Sequence, residues 1–190
     1  MELQWFDIRE LTEQAAQAVM GMMDGDRQRR VADIAGDDDR KRTIAGELLA
    51  RRMLAEKLGC ADRDVPLTWD ELGKPSVAGD GLYVSVSHSG PWAVCVTAEV
   101  PVGVDVEVVR SAQEKFMRRV CSEQEMACIR PGSDGDCRRF WEIWTAKEAL
   151  FKLTGRGPLL ALSRFTLPAG VTLDYTEKNG CALTVAAQIL

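Results

Sequence analysis

Histidine is almost absent: His88 is the one instance in 190 residues. A single imidazole excludes multi-histidine metal centres. With no Gly-x-Ser-x-Gly elbow and no second histidine, a hydrolase triad is excluded as well. The phosphate loop of nucleotide hydrolases, Gly-x-x-x-x-Gly-Lys-Ser/Thr, is missing too. The six cysteines are Cys60, Cys95, Cys121, Cys128, Cys137 and Cys181. No two of them form a Cys-x-x-Cys pair, so zinc has little support. The first ten residues carry Glu2, Asp7 and Glu10 and no long apolar run, unlike a secretory leader. Free thiols, buried in a reducing cytosol, are therefore expected. No apolar run reaches the length of a membrane span. Positive charge is not in excess either: the net charge is -5. That argues against general nucleic-acid binding and leaves room for a local basic pocket around a small phosphorylated ligand.

What is present suits a globular protein, with 46% hydrophobic and 28% charged residues. The length allows one sizeable core or two small lobes. Helical periodicity predicts helices over Leu11–Met23, Arg27–Ile34 and Arg40–Leu58, with a turn at Asp24–Asp26 and a polar loop at Gly36–Asp39. One of Asp37, Asp38 and Asp39 is expected to cap the long helix, and Gly59 to stop it. After Cys60 the pattern changes. Gly73-Lys74-Pro75 and Ala78–Gly81 are turn signals. Strands are expected at Leu82–Ser87, Trp92–Ala98 and Val102–Val108, the first two joined by Ser89-Gly90-Pro91. Helices are then expected over Ser111–Val120, Ser122–Arg130 and Arg138–Thr154, with a loop at Pro131–Gly135 and a stop at Gly155–Pro158. The tail reads as strands at Arg164–Leu167, Val171–Tyr175 and Cys181–Ala187, the last two joined by Lys178-Asn179-Gly180. Helix then strands, twice over, gives a mixed α+β class in two lobes, with a boundary near Val100-Pro101.

Four segments hold side chains suited to chemistry. In Gly103-Val104-Asp105-Val106-Glu107 the strand period puts Asp105 and Glu107 on one face and the valines on the other. Two adjacent carboxylates favour a hard cation such as Mg²⁺ between them; taken alone, the segment reads as a strand with a solvated polar face. In the helix after it, Trp144, Lys147, Glu148, Phe151 and Lys152 recur at spacings of one face. That face offers a third carboxylate and two cations for phosphate oxygens, or a plain surface pair of Glu148 with Lys152. Ser87-His88-Ser89-Gly90 can cradle a phosphate, and Gly73-Lys74-Pro75 fixes a lysine in a turn; alone, each reads as structural.

In order and spacing, these four segments resemble the 4′-phosphopantetheinyl transferase superfamily, in its two-lobed surfactin-activating branch. The pattern there is Gly-Lys-Pro, Ser-His-Ser-Gly, Gly-(Ile/Val)-Asp-(Ile/Val)-Glu and Trp-x-x-Lys-Glu-(Ala/Ser)-x-x-Lys. The match runs from Gly73 to Lys152. The resemblance implies two similar lobes in a pseudo-twofold relation, each with helices on a small antiparallel sheet. Residues 1–100 would grip the nucleotide of coenzyme A, and residues 101–190 would carry Mg²⁺ and the catalytic carboxylates. It implies transfer of the phosphopantetheine arm to a serine of an acyl or peptidyl carrier protein, with release of 3′,5′-ADP.

By the same resemblance Asp105, Glu107 and Glu148 hold Mg²⁺ against the pyrophosphate, and Lys147 and Lys152 stand near it. Ser87 and His88 sit at the 3′-phosphate, Lys74 at the adenosine end, and Arg27, Arg30 and Arg42 at the nucleotide phosphates. Glu125 matches the proposed general base, with Glu123 close enough to confuse the assignment. A carrier is expected to dock on Lys115, Phe116, Met117, Arg118 and Arg119, unless Phe116 and Met117 belong to the core. A cytoplasmic monomer, without nucleic acid or membrane, is expected. The competing reading is a coenzyme A-binding scaffold that does no chemistry.

Overall fold

The computed structural model of the protein describes residues 1–79, 81–129, 137–155 and 167–189. The chain divides into two compact units, Met1–Pro101 and Val102–Leu190. The loop expected at 131–135, the strand expected at 164–166 and the stop at 156–158 lie outside the described residues.

The first unit is built on a strand apolar on both faces. β5 (Trp92–Ala98) has Ala93, Val94, Cys95 and Val96 fully buried. It is the middle strand of an antiparallel sheet ordered β1 (Glu2–Asp7), β5, β4 (Tyr83–Ser89). β4 and β5 are joined by the two-residue turn Gly90-Pro91, and Gly90 takes φ 55°. α1 (Glu13–Met20), α2 (Gly25–Ala32) and α3 (Asp37–Leu58) follow β1. α3 packs across the sheet through Ala45, Leu49, Met53 and Leu54 against Val84, Ala93 and Cys95. Leu11, Val19, Met23 and Val31 close a second cluster on Ile44 and Leu48. A short ladder of β2 (Leu67–Trp69) and β3 (Pro75–Val77) completes the unit.

Several local expectations are corrected. The N-terminal segment is a strand, which periodicity over six residues did not raise. The helix expected over Leu11–Met23 is shorter, because Thr12 caps it at Ala15 and it ends at Met20. Asp24 is not a turn residue but the cap of α2, its carboxylate accepting from the Arg27 N–H at 2.8 Å. Gly36, not an aspartate, is the N-cap of α3. Asp37, Asp38 and Asp39 fill its first turn, where the partial positive charge of the helix end favours carboxylates. Three thiols are buried, but Cys60 and Cys128 are exposed.

The second unit repeats the logic around β8 (Cys181–Gln188), which lies between β6 (Val102–Val108) and β7 (Val171–Lys178). β7 runs to Lys178 because the turn is only Asn179-Gly180, both at positive φ, as a type I′ hairpin requires. α4 (Glu114–Val120) and α5 (Glu123–Cys128) are shorter than the helices expected there. α6 (Arg138–Thr154) is the long helix read from the sequence, ended by Gly155 in the left-handed region.

α6 lies on the face of β6 that carries Gly103, Asp105 and Glu107. A Cβ at Gly103 would stand 2.1 Å from the Ala149 carbonyl oxygen and 2.5 Å from the Leu153 nitrogen. The helix backbone thus rests on the strand backbone. Asp105 pairs across the sheet with Thr184, whose hydroxyl meets that of Thr145 at 2.8 Å under α6. The face is therefore dry at Asp105, which is 5% exposed, and half-open at Glu107.

Because the obstructing atoms at Gly103 are backbone, Gly103→Ala is expected to destabilise by about 3 kcal/mol or more. Thermal unfolding followed by circular dichroism should show Tm lower by roughly 10 °C. An unchanged Tm would mean that α6 does not sit this close to β6.

Candidate functional site

In the second unit the helix stripe 144, 148, 152 runs along the carboxylate face of β6. The Trp144 indole N–H points at Glu107 Oε1, 3.4 Å away. The Lys152 ammonium donates to Asp105 Oδ1 at 2.8 Å. Glu148 lies between, and its Oε1 is buried with no hydrogen-bond partner among the described residues. Burial pushes the Glu148 carboxyl up to about 7; Asp105 and Glu107 add to the rise and Lys152 opposes it. A carboxylate with a bare buried oxygen beside two others is short of positive charge. Still, among the described residues no group of three or more His, Cys, Asp and Glu side chains is gathered as a metal cage. Asp105, Glu107 and Glu148 are electrostatic neighbours rather than a preformed ligand set. The donor chemistry nonetheless fits Mg²⁺, which commonly takes one or two carboxylates and completes its shell with water and substrate phosphate.

Lys147 is one helical step from Glu148 and goes elsewhere. It is 5% exposed, and its Nζ donates to the Val120 carbonyl at 2.8 Å and to Glu125 Oε2 at 2.7 Å. Glu125 closes a capping box: its carboxylate accepts from the Ser122 N–H at 2.7 Å while the Ser122 hydroxyl accepts from the Glu125 N–H. Burial raises Glu125, but hydrogen bonds from Lys147 and Ser122 outweigh it and hold the carboxyl below its usual range. Glu123 is exposed in the first turn of α5. The Ser122-x-x-Glu125 spacing was the readable signal of that box.

In the expected docking segment the core alternative holds for Met117. Met117 is buried, and Phe116 stacks edge-on with Phe140 at 5.4 Å and tilted on Trp144 at 5.1 Å. Met117 belongs to the core cluster around α6, and Phe116, partly buried, packs against it. Lys115, Arg118 and Arg119 remain exposed, with Arg118 paired to Glu114.

In the first unit the expected nucleotide residues fall into separate groups. Arg42 donates to the Gly90 carbonyl at 2.8 Å and to Asp39 at 2.5 Å. Asp39 is held below the usual carboxylate range, chiefly by Arg42 and slightly by His88. That places Arg42, Asp39 and the exposed His88 around the β4–β5 turn, while Ser87 is buried in β4. Arg30 donates to the Asp70 carbonyl at 2.9 Å. Lys74 lies in the same turn, its N–H on Asp70 Oδ1 at 2.8 Å. A surface cavity of about 630 Å³ opens there, walled by Arg29, Arg30, Trp69 and Asp70. Arg27 is not at a surface at all. It is buried on the Trp69 ring, 4.0 Å from its centroid, with Nε 3.6 Å from Glu47.

Two family models match the chain. One, described as the 4′-phosphopantetheinyl transferase superfamily, covers residues 101–183, and the other, the N-terminal part of 4′-phosphopantetheinyl transferase, covers residues 10–100. The chain belongs to the 4′-phosphopantetheinyl transferase superfamily. It is 29% identical over 142 residues to the 4′-phosphopantetheinyl transferase gsp of Aneurinibacillus migulanus, covering 74% of this chain and 60% of that protein. Against the 4′-phosphopantetheinyl transferase Sfp of Bacillus subtilis the identity is 24% over 161 residues, covering 84% and 72%. Against a phosphopantetheinyl transferase of Thraustochytrium it is 34% over 172 residues, covering 81% and 58%. The chain thus spans well under the whole length of the relatives it matches. Within this superfamily member, no helix among the described residues is long and apolar enough to cross a membrane.

The raised Glu148 gives a signed expectation for the metal-free protein. The unfolded chain releases this proton near 4.5 and the folded chain near 7. Between those values the folded state binds more protons, so its stability falls as pH rises through the window. Discounted for partial exposure, the loss is roughly 1–2 kcal/mol. Denaturant unfolding in a chelator at pH 5 and pH 8 should show this slope, and Glu148→Gln should flatten it. An identical slope in the variant would place the unfavourable charge elsewhere.

Proposed function

We propose that this chain transfers the 4′-phosphopantetheine group of coenzyme A to a serine of an apo acyl or peptidyl carrier protein. The carrying observation is the buried carboxylate face of β6 with Glu148 and Lys152 laid along it, inside the stretch that matches the superfamily model. The carrier serine oxygen bonds to the β-phosphorus of coenzyme A. The bond from that phosphorus to the bridging oxygen breaks, and 3′,5′-ADP leaves with the electron pair. Such chemistry asks mainly for positioning and charge stabilisation.

Asp105, Glu107 and Glu148 would hold Mg²⁺; when bound, it supplies neutralising charge to the pyrophosphate. Lys152, half-buried and set on Asp105, is placed to reach a phosphate oxygen. Glu125 receives the serine proton in this reading. Arg42 and His88 bind the 3′-phosphate, with Ser87 beside them in β4, and Arg30 and Lys74 line the adenosine end. Arg27, enclosed with Glu47, supports that wall from beneath rather than touching a phosphate.

Incubation with coenzyme A, Mg²⁺ and an apo carrier protein should raise the carrier's mass by one phosphopantetheine, read by mass spectrometry. Asp105→Asn and Glu148→Gln should each lower turnover by at least ~100-fold while the fold is retained. Mass unchanged across fatty-acid, polyketide and nonribosomal-peptide carriers would overturn the proposal, and binding without transfer would favour a scaffold. His88→Ala should weaken coenzyme A about tenfold while leaving dephospho-coenzyme A nearly unaffected. Equal losses for the two ligands would remove His88 from the 3′-phosphate.

A further inference from the structure

Lys147 and Lys152 sit on one helix, and the family pattern contains both, yet their ammonium groups meet different surroundings. Lys152 keeps 27% of its side chain exposed and lies on the carboxylate face of β6. Lys147 keeps 6% and is enclosed between α6 and the α4–α5 corner. Its two observed bonds, to the Val120 carbonyl at 2.8 Å and to Glu125 Oε2 at 2.7 Å, use most of what an ammonium can donate. To reach a phosphate it would have to leave a half-buried carboxylate and a buried carbonyl, and the carbonyl would be left without a partner.

Resting on the transferase reading, we infer that Lys147 is a positioning residue which fixes Glu125 and the α4–α5 corner, and not a ligand of coenzyme A. The geometry supports a division of labour. Val120 ends α4, Ser122 caps α5, and Glu125 is the third residue of α5. One ammonium ties the end of the first helix to the carboxylate in the first turn of the second. The Ser122 N–H holds the same carboxylate oxygen, Oε2. Glu125 Oε1 takes neither of these bonds, so a proton acceptor remains on a carboxylate that two donors hold in place. Pinning of this kind acts on turnover rather than on nucleotide affinity.

The test separates binding from turnover. Calorimetric titration of coenzyme A without carrier should give Lys147→Met a Kd within about twofold of wild type. Lys152→Met should lose about tenfold under the same conditions. Transfer by Lys147→Met should fall in kcat by about 10–100-fold, with the KM for coenzyme A held. Because Lys147 acts through Glu125, the double variant Lys147→Met/Glu125→Gln should be no slower than Glu125→Gln alone. A merely structural lysine would make the two losses multiply. If Lys147→Met does not fold by circular dichroism, Lys147→Arg serves, with unchanged Kd, a smaller kcat loss and the same non-additivity. A coenzyme A Kd that rises in step with the loss of turnover, or multiplicative losses, overturns this inference and leaves the transferase reading standing. A wild-type chain that modifies no carrier defeats both.

Discussion

Helix α6 can rest on β6 only because Gly103 has no side chain. The 2.1 Å that a Cβ would leave to the Ala149 carbonyl is less than any non-bonded contact allows. From that seat the other placements follow by spacing. Two and four residues along the strand stand Asp105 and Glu107, and the helix brings Lys152, Glu148 and Trp144 over them in turn. A helix held even one side chain's thickness further off would leave the carboxylates open to water. Glu148 would then lose the burial that raises it. Close packing of two backbones is what turns an ordinary alternating strand into a strongly charged, partly dry surface.

The same separation of roles recurs in both units. Each has cations that the fold encloses and cations that it leaves reachable. Arg27 lies against Trp69 and Glu47 while Arg30, three residues on, opens to a cavity. Lys147 is enclosed, while Lys152, at the far end of the next helical turn, is not. The enclosed member sets the shape of a wall and the exposed member is free to exchange partners. Such an arrangement fixes where the reachable charges stand, Lys152 on Asp105 and Arg30 on the Asp70 carbonyl.

Much of this was legible in the residues. The long helices, Trp92–Ala98 and Val102–Val108 followed from periodicity, and the charged segments followed from motif spacing. The first strand went unread although Glu2-Leu3-Gln4-Trp5 alternates as a strand does, because the adjacent Trp5 and Phe6 break the period after four residues and no β-branched side chain supports it. Lys147 and Glu148 were read onto one helix face because positions 144, 147, 148, 151 and 152 cluster on a helical wheel. One step of the wheel is about 100°, enough to send neighbouring side chains to different elements. Periodicity gives the width of a face, but which neighbour each edge meets depends on the packing of α4 and α5. Phe116 and Met117 illustrate the same limit. Their chemistry suited an exposed anchor as well as a core, and only the rings of Phe140 and Trp144 decide between the two.

Glu47 is wholly enclosed, with Arg51 Nε at 2.8 Å on one side and Arg27 on the other, and burial raises its carboxyl against both guanidinium groups. Arg51 also reaches the carbonyls of Asp62 and Val65. Such a trio constrains descent as well as structure. Exchanging Glu47 for an apolar residue leaves two buried guanidinium groups without a counter-charge, at a cost of about 3–5 kcal/mol, and exchanging either arginine takes one of two positive charges from a carboxylate that burial already disfavours. Replacing all three with well-packed apolar residues costs little, but every single-step route to that state passes through a damaged intermediate. Positions 27, 47 and 51 should therefore drift as a block in related chains, kept or lost together, even where none of them meets a ligand.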